Sequence, residues 1–108
     1  MKKDLQKLSS IFEAMADGVC IVNQDFTIEY MNPAMVDNFC DGVGAKCYEI
    51  LEKRSEVCSY CEADRVFKGE TLRQELYSKR AGKFYDIVEI PLENDDGTVS
   101  KVSIFRDV

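Results

Sequence analysis

No histidine and no tryptophan occur anywhere in the 108 residues. The missing histidine excludes the most chemistry. Without an imidazole there is no Ser-His-Asp or Cys-His nucleophile, no histidine-ligated haem and no phosphoacceptor histidine. Catalysis by this stretch of chain is therefore not expected. An excess of basic charge is missing too. The net charge of −6 argues against nucleic acid and against anionic membrane surfaces, since both reward basic patches. No apolar run approaches the roughly 18 residues that a membrane-spanning helix needs. The opening "MKKDLQKLSSIFEAM" has a basic start but no hydrophobic region behind it, so it does not read as a signal peptide. No membrane insertion is expected, and the expected address is the cytoplasm, where thiols stay reduced. The chain also lacks internal repeats and low-complexity linkers, and its length suits one domain around one core.

What is present begins with a periodic stripe. Leu5, Leu8, Phe12 and Met15 recur at helical spacing, which predicts an amphipathic helix over residues 1–16, serving either its own domain or a dimer seam. Asp17-Gly18 ends it. "VCIVN" and "TIEYM" then read as a hairpin of two short strands. Asn32-Pro33 follows at once, a helix cap with proline at the first helical position, and a short helix should run to about Phe39. "AKCYEILEKR" and "EADRVFK" predict two more short helices. The last third changes texture. "ETLRQELYSKR", "KFYDIVEIPL" and "TVSKVSIFRDV" are strand-like runs, separated by Ala81-Gly82 and by "ENDDG", both turn compositions. Pro91 falls near the end of its strand, where a missing N–H is tolerated. The resulting expectation is an α+β fold: five strands in one antiparallel sheet, with short helices gathered on one face and a small cavity between the two.

That order of elements resembles the PAS domain family from about Ile11 to Val108. The residues that carry the likeness are "DGVCIVNQDFTIEYMNPAM" at the front, Gly44 opening "GAKCYEIL", and the closing "GTVSKVSIFRDV". The resemblance implies a helix over 1–16 for dimerisation and signalling, and a PAS domain over 17–108. It also implies a non-catalytic sensory and interaction module of a larger signalling protein, above all a histidine kinase. Such a module would form homodimers, sense a small ligand or a redox state, and pass the signal to an effector domain downstream. The strand pattern that ends at Val108 fits a module excised from a longer polypeptide.

A ligand in the cavity would be faced by Cys20 and Val22 from the first strand and Tyr30 from the second. Met35, Phe39, Tyr48, Leu51 and Phe67 would come from the helices. By strand alternation Phe84, Asp86, Val88 and Ile90 share one face. If that is the inner face, Asp86 and Val88 belong to the site; the plainer reading makes the same face apolar core, with Asp86 hydrogen-bonded near its edge or solvated. No cofactor is named by these residues. A haem could be ligated only by Cys47, Met31 or Met35. "GAKCYEIL" also resembles the segment in which flavin-binding PAS domains carry their reactive cysteine, here Cys47, but Lys46 and Tyr48 stand where that segment has asparagine and arginine.

Five cysteines remain to be explained. Cys20 and Cys40 read as small apolar filler. Cys47, Cys58 and Cys61 are expected to cluster on the helix side of the sheet. Cys58-x-x-Cys61 suits a zinc or iron–sulfur site with Cys47 as a third ligand and Cys40 as the available fourth. It equally suits a reactive dithiol, or three structural thiols. A thiol–disulfide exchange enzyme is the rival from another class, and it lacks the strand that should precede "CSYC" in a βαβ unit.

Overall fold

The computed structural model describes residues 11, 14, 16–52, 55, 56 and 61–107. The Leu5, Leu8, Phe12, Met15 stripe lies outside the described residues, and so does Cys58. Strands β1 (Gly18–Val22) and β2 (Ile28–Met31) form the first hairpin. Helices α1 (Pro33–Phe39), α2 (Cys47–Glu52) and α3 (Ala63–Phe67) follow. Strands β3 (Leu72–Ser78), β4 (Lys83–Glu93) and β5 (Val99–Asp107) complete one antiparallel sheet of order β2-β1-β5-β4-β3. The α+β architecture read from the sequence is the one observed, and each expected strand and each of the three short helices within the described residues is present.

Local chemistry explains the corners. In the first hairpin the Asn23 side-chain oxygen accepts from the backbone N–H of Asp25 at 2.9 Å and of Thr27 at 3.0 Å, an Asx turn that closes the loop. Asn32 does more than cap α1. Its Oδ1 accepts from Met35 N at 3.1 Å and from Val19 N at 2.8 Å, while its Nδ2 donates to the Asp17 carbonyl at 2.9 Å. One buried amide therefore joins the start of β1 to the start of α1. Gly18 is required at the same corner, because a Cβ there would meet Met35 Sδ at 2.6 Å. Pro91 is accommodated because β3 pairs with β4 only as far as Glu89, so that beyond it β4 has β5 as its one strand neighbour.

The helices cover one face of the sheet. Between them and the strands, the rings of Phe39, Tyr85 and Phe105 pack mutually with centroids 5.3–6.1 Å apart. Truncating Phe39 to alanine would remove one ring of this trio, a change that typically costs about 3–5 kcal/mol in a core.

The faces of β4 are reversed from the expectation. Tyr85, Ile87 and Glu89 point inward and are buried. Phe84, Asp86, Val88 and Ile90 lie on the outer face, with Phe84 exposed. Asp86 therefore looks away from the helices, and its carboxylate pairs with the Arg73 guanidinium on the neighbouring strand, Arg73 Nε donating at 3.0 Å. Local alternation could not decide this, because both faces of "KFYDIVEIPL" carry apolar residues and one acid. Pairing with β5 decides it.

Candidate functional site: a polar cavity between sheet and helices

A cavity of about 80 Å³ lies between the inner face of the sheet and the helices. The sheet contributes its floor row by row. Cys20 on β1 pairs with Ser103 on β5, which pairs with Glu89 on β4. In the next row Val22 pairs with Lys101. A third row joins Phe105, Ile87 and Gln74. Paired residues share a face, so one short polar tract from three strands is held against the cavity. Phe39, Tyr48 and Leu51 from α1 and α2, with Cys47 and Cys61, close it from the helix side.

The tract is charged and buried. Lys101 Nζ lies 2.8 Å from Glu89 Oε2, with side chains only 10% and 8% exposed. Ser103 Oγ donates to the same carboxylate at 3.4 Å, and Gln74 Nε2 donates to Glu89 Oε1 at 3.4 Å. Burial pulls the Lys101 ammonium down, but Glu89 beside it, with Cys61 and Cys47 within electrostatic reach, outweighs that and holds it above its ordinary 10.5. The Cys20 thiol is the opposite case. Burial pushes it up to about 12, with Lys101 only partly opposing, so it stays protonated. An ion pair sealed into an apolar core adds little stability compared with apolar residues of the same volume. Its presence here asks for another reason.

The structure brings Cys20, Val22, Phe39, Tyr48 and Leu51 to the cavity wall, together with Cys47 and Cys61. Five other expected residues stand elsewhere. Tyr30 pairs with Ile21 on the β1–β2 hairpin, Met35 fills the space beside Gly18, and Phe67 packs edge-on against Phe26 with centroids 6.2 Å apart. Asp86 and Val88 are on the outer face of β4. Among the lining residues that sequence reading missed, the polar ones are Glu62, Gln74, Ser78, Glu89, Lys101 and Ser103. A signal for two of them existed in "SKVS", where Lys101 and Ser103 stand two apart and so share one face of the final strand. Among the described residues no three His, Cys, Asp or Glu side chains are grouped to hold a metal ion. The cavity volume falls well short of the roughly 300 Å³ at which pockets for drug-sized ligands begin. Nor does any helix among the described residues have the length and apolarity to cross a membrane.

A family model described as the PAS fold matches residues 12–108. Solved structures agree with it at low identity. The PAS domain of nitrogen regulation protein NR(II) from Vibrio parahaemolyticus has a TM-score of 0.73 at 14% identity, over 94% of this chain and 97% of that one. A domain of a sensory box sensor histidine kinase/response regulator from Geobacter sulfurreducens has a TM-score of 0.69 at 21% identity, over 96% and 94%. An RNA-binding light-oxygen-voltage receptor has a TM-score of 0.75 at 16% identity, over all of this chain and 34% of that one. No curated protein sequence matches the chain.

Proposed function

Because the chain belongs to the PAS fold family, we propose that it is a non-catalytic sensory module that admits a small polar molecule between its sheet and its helices. Occupancy would be relayed to an effector domain in the same polypeptide, of the histidine-kinase type to which several of its structural neighbours belong. The observation that carries this reading is the buried Lys101–Glu89 pair lining a cavity. Convergent polar groups in an apolar pocket are the usual mark of a ligand site. Action as a homodimer in the cytoplasm belongs to the same proposal. NMR titration of the chain with polar metabolites of fewer than about ten heavy atoms tests it. Amide shifts should centre on Cys20, Ile87 and Ser103. Shifts confined to the outer face of the sheet would sink it.

A redox reading of the same cavity is favoured by one observation: Cys47 and Cys61 reach it from separate segments and share its wall with the Lys101 ammonium. With a peroxide as oxidant, the two thiols would give up two electrons and two protons to form one disulfide while the O–O bond is reduced to two waters. Thiol alkylation and mass mapping, with and without peroxide, should show a Cys47–Cys61 bridge and leave Cys20 untouched until the chain unfolds. A bridge that uses Cys58 instead, or none at all, would remove this reading; zinc or iron bound to the purified chain would replace it with the metal one.

A further inference from the structure

We propose that the ligand of this cavity is a small zwitterion, an α-amino acid with a short apolar side chain. The inference rests on the reading of the cavity as a ligand site and adds the chemical class. Its basis is the charge and hydrogen-bond inventory of the polar tract. An ammonium carries three N–H donors, and among the described residues Glu89 is the one salt-bridge partner of Lys101. Donors therefore remain on Lys101 for an incoming carboxylate. Glu89 receives long hydrogen bonds of 3.4 Å from Gln74 and Ser103, both at the outer limit of good geometry and both open to replacement by a better donor. An incoming ammonium is such a donor.

The net charge of the tract narrows the choice. Lys101 and Glu89 already neutralise one another, and Glu62, which also lines the cavity, is paired with Arg65 at 3.4 Å. A simple carboxylate would bring one uncompensated negative charge beside Glu89, and a simple amine one positive charge beside Lys101. Either would be desolvated without a full partner, a costly state in an apolar surround. A zwitterion adds no net charge and continues the alternation: its carboxylate on Lys101, its ammonium on Glu89. The apolar remainder of the ligand then lies toward Val22 and Leu51, which line the same cavity. One water needs about 10–15 Å³ of cavity space, so the cavity of about 80 Å³ has room for about five to eight heavy atoms. Alanine through valine fits that description, and aromatic or long charged amino acids do not.

Calorimetric and NMR titration of the full chain with L-alanine and L-valine tests the class. The comparison compounds are the N-acetyl derivative, the methyl ester, butyrate, propylamine and the uncharged butyramide. The amino acids should bind at least about tenfold more tightly than any compound lacking one of the two charges. Lys101→Met and Glu89→Gln should each remove that preference, with folding checked by circular dichroism. The derivatives keep the test decisive on the unaltered protein if either variant fails to fold. Butyrate, propylamine or butyramide binding as well as alanine would overturn the zwitterion while leaving the cavity as a ligand site. No compound shifting the cavity amides would overturn both.

Discussion

Besides Lys83–Asp107 at their ends, strands β3, β4 and β5 carry two ion pairs back to back. On the outer face Arg73 and Asp86 meet across β3 and β4, with side chains 68% and 17% exposed. On the inner face Lys101 and Glu89 meet across β5 and β4, at 10% and 8%. The chemistry is the same, and the surroundings make the two unlike. Water and salt screen the outer pair, so its partners can part at little cost. The inner pair is nearly buried, and each charge depends on the other. The outer pair is surface decoration between the edge strand β3 and its neighbour β4. The inner pair places two opposite charges beside the cavity, where their field is screened less than at the surface.

The comparison breaks most visibly if one inner charge is removed. Lys101→Met should destabilise the protein by about 3–5 kcal/mol, because it strands the Glu89 carboxylate in the core. Lys101→Met combined with Glu89→Met should recover most of that loss or exceed the original stability. Urea unfolding of the three proteins reads both effects. A single-variant loss below about 1 kcal/mol would mean that Glu89 is hydrated after all. Alkaline titration sharpens the point. The Lys101 ammonium is held above its ordinary 10.5, so its contribution is complete below that pH and is lost as pH rises through the higher folded value. The double variant should lack this alkaline loss.

Arg73→Gln on the outer face should have the smallest effect. The Arg73 guanidinium, hydrogen-bonded to Asp86, holds that carboxyl below its ordinary 3.8. Its contribution is therefore present above pH 3.8 and lost as pH falls through the lower folded value, the reverse of the inner pair. Whatever remains near neutrality should vanish in about 1 M salt, where the screening length is about 3 Å. An Arg73→Gln loss that survives such salt would place this pair with the buried one.

Sequence reading succeeded where structure is set locally. Asn32-Pro33 opens α1 because a side-chain acceptor and a fixed φ act within one turn. The turn residues at Ala81-Gly82 and "ENDDG" separated the last three strands for the same reason. Reading failed where the third dimension decides. The even positions of β4 look at least as apolar as the odd ones, yet β5 pairing turns Glu89 inward and Asp86 outward. On β5 the inward residues Lys101, Ser103 and Phe105 include two polar ones, against the usual rule that the polar face meets water. Local pattern and fold disagree on this face, the kind of conflict expected where a functional site lies, which fits the proposed reading of the cavity. Cys47 and Cys61 were placed on the helix side, and both are found in the cavity wall. Their neighbour Lys101 was invisible from the cysteine stretch, since it lies 40 residues beyond Cys61.

The strand order has a consequence for how the molecule is made. β5 is the last strand in the chain and the middle strand of the sheet, pairing with β1 on one side and β4 on the other. Until Val99–Asp107 leaves the ribosome, the β1–β2 and β3–β4 hairpins exist only as two fragments with open edges. Neither can close the core, and unpaired edges invite pairing with another chain. A nascent chain that stalls near Asn94 would present two sticky hairpins and no cavity, so premature termination within β5 should leave the sheet unclosed and give material for the cell's proteases.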